Sequence, residues 1–334
     1  MRDWSGVVKR SLGGDPLTRQ EALELLSLPD EEVPGLLQAA FEVRQARFGK
    51  RVKVCVLQNA RSGLCPEDCH YCSQSSLSTA KIDKYPLMDK DLLMDGARRA
   101  SAAGAKRYCM VTSGRGPSDE EVEHFCDVTR QIKQHLPLEI CVCLGLLSQA
   151  QARRLKEAGV GWVNHNLNTS ERFHQEICTT HTYQDRVRTV ENVRKASLMT
   201  CSGGIVGMGE TDEDILDLAF ACRQMQMDSI PVNFLHPIPG TPLESRRDLT
   251  PKKCLKVLCL FRFLNPKAEI RAAGGREVNL GAEQALALYP ANSIFVEGYL
   301  TTPGQQAEDA RRMIEDMGFE IEPPEAQLTE SGKG

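Results

Sequence analysis

Cys65, Cys69 and Cys72 fall within eight residues, in the run Cys-Pro-Glu-Asp-Cys-His-Tyr-Cys. Thiolates bind soft and borderline metals, and cysteines this dense read as a metal site. A closed structural zinc site takes four ligands, and this loop supplies three. A cubane iron–sulfur cluster takes one thiolate per iron. Three thiolates on four irons leave one iron open to a small molecule, which is a catalytic arrangement. The competing reading is a zinc loop completed by a distant cysteine or by a histidine such as His70.

The chain carries 13 cysteines, which in a protein without a signal sequence argues for metal or redox chemistry rather than a disulfide framework. Cys126, Cys222, Cys254 and Cys259 fall in helical patterns, where a buried thiol is a small hydrophobe. Cys109, Cys141 and Cys201 fall on expected strands, and Cys143 shares the face of Cys141. Together with Arg271 on another strand they form one constellation if those strands enclose a lumen. Inward cysteines from separate strands could bind a second cluster beneath the first. Packing is the alternative for each thiol, and a salt bridge to a lumen carboxylate is the alternative for Arg271. Arginine is an unusual metal partner, because it stays protonated and offers no lone pair.

Two further stretches point to a small polar ligand. Asn164 and Asn166 alternate along one expected strand, Asn168 continues the same spacing just past its end, and a lumen lined with amides wants a polar guest. The competing reading has these residues capping the strand and turning into the helix at Ser170. The run Gly203-Gly204-Ile205-Val206-Gly207-Met208-Gly209-Glu210 ends another expected strand. Its glycines allow a flat ligand close to the backbone.

The elements that must position these residues alternate in type. The first fifty residues read as helices, with a capping box at Thr18–Glu21. Strands are then expected at 52–57, 107–112, 138–144, 161–166, 199–206, 229–235, 268–272 and 292–296. Helices are expected between them, opened by Asp89, Ser118, Ser148, Ser170, Thr211 and Thr250-Pro251, and a last helix at Thr302-Pro303. Eight strands alternating with helices predict an α/β fold, a (β/α)8 TIM-type barrel with an N-terminal helical extension. An open doubly wound sheet is the runner-up. The expected division is a helical cap over 1–50, the barrel over 51–322 and a disordered polar tail over 323–334.

A formal net charge of −4, with no basic stripe, argues against nucleic acid as a partner. The start, Met1-Arg2-Asp3-Trp4, has no apolar core, and the longest apolar run, 140–147, is too short to span a bilayer. A cytoplasmic protein is expected, without a membrane partner.

The residues also match a family. The stretches Cys-Pro-Glu-Asp-Cys-His-Tyr-Cys-Ser-Gln-Ser-Ser (65–76), Tyr-Cys-Met (108–110), Asn-His-Asn-Leu-Asn-Thr-Ser (164–170), Cys-Ser-Gly-Gly-Ile-Val-Gly-Met-Gly-Glu (201–210), Pro-Val-Asn-Phe-Leu (231–235), Arg-Ala-Ala-Gly-Gly-Arg-Glu (271–277) and Ala-Asn-Ser-Ile-Phe (291–295) carry the likeness. On them the chain resembles the biotin synthase family of the radical S-adenosylmethionine superfamily over residues 15–320. The resemblance implies a 4Fe–4S cluster on Cys65, Cys69 and Cys72, with S-adenosylmethionine chelated at the open iron. It implies a 2Fe–2S cluster on Cys109, Cys141, Cys201 and Arg271, which serves as the sulfur donor. Arg186 is implied to meet the methionine carboxylate, Gly203 and Ile205 the adenine, and Asn166 and Asn168 the ribose side. Asn233, with Asn166, is implied to contact dethiobiotin. The implied activity is that of a sulfurtransferase, inserting sulfur into dethiobiotin by radical chemistry. A reducing donor such as flavodoxin or ferredoxin and a homodimer are implied as well. Two departures stand out: Asn168 occupies a position where aspartate is commoner, and Val111-Thr112-Ser113 is bulkier than usual. A radical maturase of another cofactor and a non-catalytic metal-binding barrel are the alternatives.

Overall fold

The computed structural model describes residues 3–15 and 17–324. Helices α1 (Ser5–Gly13), α2 (Arg19–Leu26) and α3 (Val33–Phe48) open the chain, with a 3-10 turn over Asp30–Glu32 before α3. There follow β1 (Arg51–Arg61), α4 (Lys90–Ala102), β2 (Arg107–Thr112), α5 (Asp119–His135), β3 (Glu139–Cys143), α6 (Gln149–Glu157) and β4 (Trp162–Asn164). Next come α7 (Glu171–Ile177), α8 (Tyr183–Lys195), β5 (Met199–Cys201), β6 (Gly204–Val206), α9 (Asp212–Gln224) and β7 (Ser229–Phe234). The chain ends with α10 (Pro251–Leu264), β8 (Glu269–Ala272), α11 (Arg276–Leu280), a 3-10 stretch over Gly281–Leu288, β9 (Ser293–Val296), α12 (Ala307–Asp316) and β10 (Glu320–Ile321).

All the barrel strands pair in parallel, in the order β1, β2, β3, β4, β5 with β6, β7, β8 and β9. The sheet closes where β9 returns to β1, with Val54 opposite Ile294 and Cys55 opposite Phe295. This is the (β/α)8 barrel that the alternation predicted, and closure rules out the open doubly wound sheet. Helix starts follow local chemistry: reciprocal capping boxes hold Thr18 with Glu21, Ser118 with Glu121 and Ser148 with Gln151. Pro251 occupies the first turn of α10, where a missing N–H costs nothing.

The N-terminal helices pack on α10. Trp4 stacks on Phe263 at 6.5 Å between ring centroids, and Ser11 Oγ donates to the Phe263 carbonyl at 2.8 Å. The buried Arg44 of α3 donates to the carbonyls of Ala291 (3.1 Å) and Arg51 (2.8 Å), fixing where β1 enters the barrel. No helix among the described residues is long and apolar enough to cross a membrane.

Four local features differ from the expected elements. The fifth strand is broken at Ser202-Gly203: β5 runs between β4 and β7, while β6 pairs with β7 and meets the other side only through a bridge from Gly204 to Asn168. The fourth strand ends at Asn164, which leaves Asn166 and Asn168 in the loop beyond it. The last helix begins at Ala307 rather than Thr302-Pro303, since Pro303 is held in an antiparallel bridge to Gly298. The short β10 pairs outside β1, Arg51 opposite Glu320, and two residues are too few to show a period. Most of the expected polar tail, 325–334, lies outside the described residues.

Candidate active site

Parallel register carries alternate residues of each strand into the lumen. A cavity of about 380 Å³ opens at the C-terminal ends of the strands. Cys65, Cys69, Cys72, Cys109, Cys141, Cys143, Asn166, Asn168, Arg186, Ile205, Asn233 and Arg271 all line it. Cys201 touches the lining residues Asn164 and Arg271, and Gly203 touches Asn166.

The cysteine loop leaves β1 through a left-handed turn, Gly63 at φ 68° and Leu64 at φ 54°. Gln74 accepts from the Gly63 amide at 3.0 Å, and the Ser76 amide donates to the Glu67 carbonyl at 2.9 Å. The loop is also tied to the segment after α7. The Asp68 carboxylate accepts from the amides of Thr179 (2.9 Å) and Thr180 (3.2 Å), and His70 N donates to the Ile177 carbonyl at 3.0 Å. Burial pushes the Cys72 thiol up to about 11.

Deeper in the lumen Cys109 stands opposite Cys141 on neighbouring strands. Hydrogen bonding between these two free thiols, with burial, pushes the Cys109 thiol well above its usual range. Arg271 on β8 donates from Nη1 toward Cys201 Sγ at 3.6 Å and from Nε to Ser293 Oγ at 3.0 Å. Its Nη2 is held by the Glu269 carboxylate, so the salt bridge weighed for this arginine exists beside its approach to the cysteine. Below lies a buried ion network. Arg107 pairs with Glu139 (2.7 Å) and Glu269 (3.0 Å) and lies over the Trp162 ring at 3.7 Å, and Lys53 joins the same two carboxylates. Burial alone lifts the Glu269 carboxyl, but Arg107, Arg271 and Lys53 outweigh it and hold it low. Lys53, Arg107 and Arg271 thus share Glu139 and Glu269, and Lys53 also feels the charge of Glu322.

The amides form a bridge rather than a strand face. Asn164 Nδ2 donates to Asn166 Oδ1 at 3.3 Å, and the Gly203 amide donates to the same oxygen at 3.2 Å. Asn164 Nδ2 also lies 3.3 Å from Cys201 Sγ. Asn168, left-handed at φ 73°, sits against the Tyr71 hydroxyl of the cysteine loop. Its side-chain oxygen, oriented to accept, meets Arg186 Nη2 at 2.9 Å and Nη1 at 3.2 Å. Arg186 also donates to the Asn166 carbonyl at 2.8 Å. Among the described residues no carboxylate pairs with Arg186, and its buried Nε has no acceptor. Asn233 is locked, accepting from Gly274 N at 2.9 Å and donating to the Gly204 carbonyl at 3.0 Å. Gly203 has a packing reason of its own, since a Cβ there would lie 2.1 Å from the Pro231 carbonyl oxygen. Glu210 closes the glycine-rich run by accepting from the amides of Gly207 (2.6 Å) and Met208 (2.7 Å).

These donors fit the implied groups. A single tetrahedral ion needs donors about 3.5–3.8 Å apart. Among the described residues the one Cys, His or carboxylate trio within 4.8 Å is Cys69, Cys178 and His181. The loop cysteines are spread wider, as separate irons of one cluster require. The orphaned Arg186 Nε and His165 Nε2 sit in the cavity wall. Burial, then the charges of Arg186 and His181, holds His165 well below its usual value, hence neutral. His165, Glu67, Cys178 and His181 were not singled out from the sequence. The spacing Cys178-x-x-His181 is the signal that could have found the last two. Cys69 donates to Cys178 Sγ at 3.7 Å, and that bond, against burial, holds the Cys178 thiol down to about 4. Burial pushes Glu67 up, but bonds from Thr180 and His181 outweigh it and leave it below the usual range.

Comparison with known proteins agrees with this geometry. The Radical SAM superfamily pattern matches residues 61–222, and that of the Biotin and Thiamin Synthesis associated domain matches 231–320. Biotin synthase of Bacillus licheniformis is 53% identical over 322 residues, covering 96% of this chain and 97% of that protein. Biotin synthase of Geobacillus kaustophilus gives the same figures, and that of Bacillus subtilis strain 168 is 52% identical with 96% of each chain covered. Among solved structures, a methylornithine synthase superposes with a TM-score of 0.83 at 21% identity, covering 95% of this chain and 98% of that one. The FeFe-hydrogenase maturase of Carboxydothermus hydrogenoformans reaches 0.81 at 17% identity, with 95% and 78% covered, and both show the fold alone. A full-length match at this identity, on a barrel with these thiols in one cavity, means that the chain belongs to the biotin synthase family of radical S-adenosylmethionine enzymes.

Proposed function

We propose that this chain converts dethiobiotin to biotin by inserting sulfur, with Cys65, Cys69 and Cys72 holding the 4Fe–4S cluster and Cys109, Cys141, Cys201 and Arg271 the 2Fe–2S cluster. The observation that carries the assignment is one cavity of about 380 Å³ with a cysteine loop at its rim and a second thiol set deeper in the lumen. When bound, the four-iron cluster with S-adenosylmethionine supplies one-electron chemistry that attacks an unactivated C–H bond, and the two-iron cluster supplies the sulfur.

The protein's own residues position and enclose. Arg186, a buried cation with only neutral partners, binds the methionine carboxylate. Asn168 and Asn166 face the ribose, and Ile205 and the Gly203 segment pack the adenine. Asn166 and Asn233 present amides to dethiobiotin, held in orientation by Gly203, Gly204 and Gly274. The barrel wall excludes water from this space. Residues 1–50 serve as a cap on the barrel. Electrons come from a small reducing protein such as flavodoxin or ferredoxin. The chain acts as a homodimer in the cytoplasm, a reducing compartment that suits its 13 unpaired cysteines.

The test is anaerobic reconstitution followed by assay for biotin from dethiobiotin. The wild type forms biotin. Cys65→Ala neither cleaves S-adenosylmethionine nor forms biotin, and Cys201→Ala forms none. Undiminished biotin formation in either variant contradicts the assignment.

A further inference from the structure

We infer that the cluster-free chain holds one thiophilic divalent cation, of the zinc class, between Cys69, Cys178 and His181. Their donor atoms all lie within 4.8 Å of one another, and all three residues are buried. Cys69 Sγ and Cys178 Sγ are 3.7 Å apart, and Cys178 Sγ is 3.4 Å from His181 Nδ1 and 3.7 Å from Nε2. Tetrahedral zinc, with bonds of about 2.3 Å to sulfur and about 2.0 Å to nitrogen, sets neighbouring donors about 3.5–3.8 Å apart. The sulfur–sulfur and sulfur–Nε2 separations are therefore already those of edges in such a tetrahedron.

The surroundings fix the ligands in place. The Glu67 carboxylate holds His181 Nδ1, which leaves Nε2, 3.7 Å from Cys178 Sγ, as the nitrogen free to bind a metal. A carboxylate behind a metal-binding imidazole orients the ring and raises its basicity. Thr180 Oγ1 donates to the same carboxylate at 2.6 Å. His174 Nε2 meets the His181 carbonyl at 3.0 Å, and Cys178 N donates to the His174 carbonyl at 3.0 Å. Cys178 and His181 belong to the segment between α7 and α8, so a bound ion joins that segment to the cysteine loop. Each thiol gives up a proton on binding, and water completes the fourth position.

Cys69 cannot serve both occupants. A cation held by Cys69, Cys178 and His181 removes one thiolate from the loop trio, so the two forms exclude each other. Zinc bound here blocks entry of the four-iron cluster, and a seated cluster leaves Cys178 and His181 without their third ligand.

Cobalt(II) titration of the reduced, cluster-free full chain tests this, since thiolate charge-transfer and tetrahedral d–d bands report the ligands. The wild type and a Cys65→Ala, Cys72→Ala double variant are expected to bind one Co²⁺ with the same two-thiolate spectrum. Cys178→Ala and Cys178→Ser are expected to bind at least tenfold more weakly and lose half the charge-transfer intensity. Both Cys178 variants are expected to keep the wild-type melting transition. Preloaded zinc is expected to slow four-iron cluster formation in the wild type and not in Cys178→Ser. The proposal is overturned if the double variant loses Co²⁺ while the Cys178 variants bind it unchanged, which would place the ion in the cysteine loop. It is equally overturned if no variant changes the spectrum.

Discussion

Arg271 Nη1 lies 3.6 Å from Cys201 Sγ, while the other end of the same guanidinium is held by Glu269. The carboxylate thus aims the arginine at the sulfur. Burial opposes the charge of Arg271, but Cys55, Glu269 and Cys201 outweigh it and push its value well above the usual arginine range. Replacing Glu269 by Gln removes the carboxylate that pairs with Lys53, Arg107 and Arg271 alike. Breaking a buried ion pair by removing one partner costs about 3–5 kcal/mol. The expected outcome is a loss of that size in the cluster-free chain, read by denaturant unfolding. An unchanged midpoint would show that the network does not need this carboxylate.

Arg186 has no carboxylate partner among the described residues, and Asn168 offers it only an amide oxygen. A ligand carboxylate is the partner its charge lacks. A charge-assisted hydrogen bond is worth about 1.5–3 kcal/mol. Arg186→Leu should therefore weaken S-adenosylmethionine binding by roughly ten- to a hundredfold, with the visible spectrum of the two-iron centre unaltered. Equilibrium binding to the reconstituted variant checks this, and wild-type affinity would remove Arg186 from the site.

Asp214 sets a pH dependence of stability. Burial lifts this carboxyl, but bonds from Arg172, Ser170 and Thr211 outweigh it and hold the value at about 2, against 3.8 when free. The folded chain thus binds fewer protons here than the unfolded chain. The contribution is complete above the free value and is lost as pH falls through the folded one. The stability gap between wild type and Asp214→Asn should be constant near neutrality and shrink from about pH 5 downward. A gap that stays level down to pH 2 would mean that Asp214 is not held in this way.

The parts of the fold legible in the sequence are those set by local chemistry. Thr18 with Glu21, Ser118 with Glu121 and Ser148 with Gln151 start helices through bonds three residues long. The cysteine loop was legible for the same reason. What escaped depends on distant partners. The break between β5 and β6 comes with pairings to β7 and to Asn168, and no pattern within 199–206 announces it. The asparagines read as one strand face are a bridge, because Asn166 leaves the strand to take the Gly203 amide. The pairing of Cys69 with Cys178 joins residues 109 positions apart, which no periodicity can relate. The alternating face of Cys109, Cys141 and Cys201 was readable, but the ion network beneath them joins Lys53, Arg107, Glu139 and Glu269 from four separate strands.

We propose that one lumen holds two iron–sulfur centres on separate thiol sets. Mössbauer spectroscopy of anaerobically reconstituted protein, with iron and sulfide counts, tests it most directly. The wild type should show both a four-iron and a two-iron component. Cys65→Ala should keep the two-iron component alone, and Cys201→Ala the four-iron component alone. Loss of both components in either variant, or survival of both in Cys201→Ala, would contradict it.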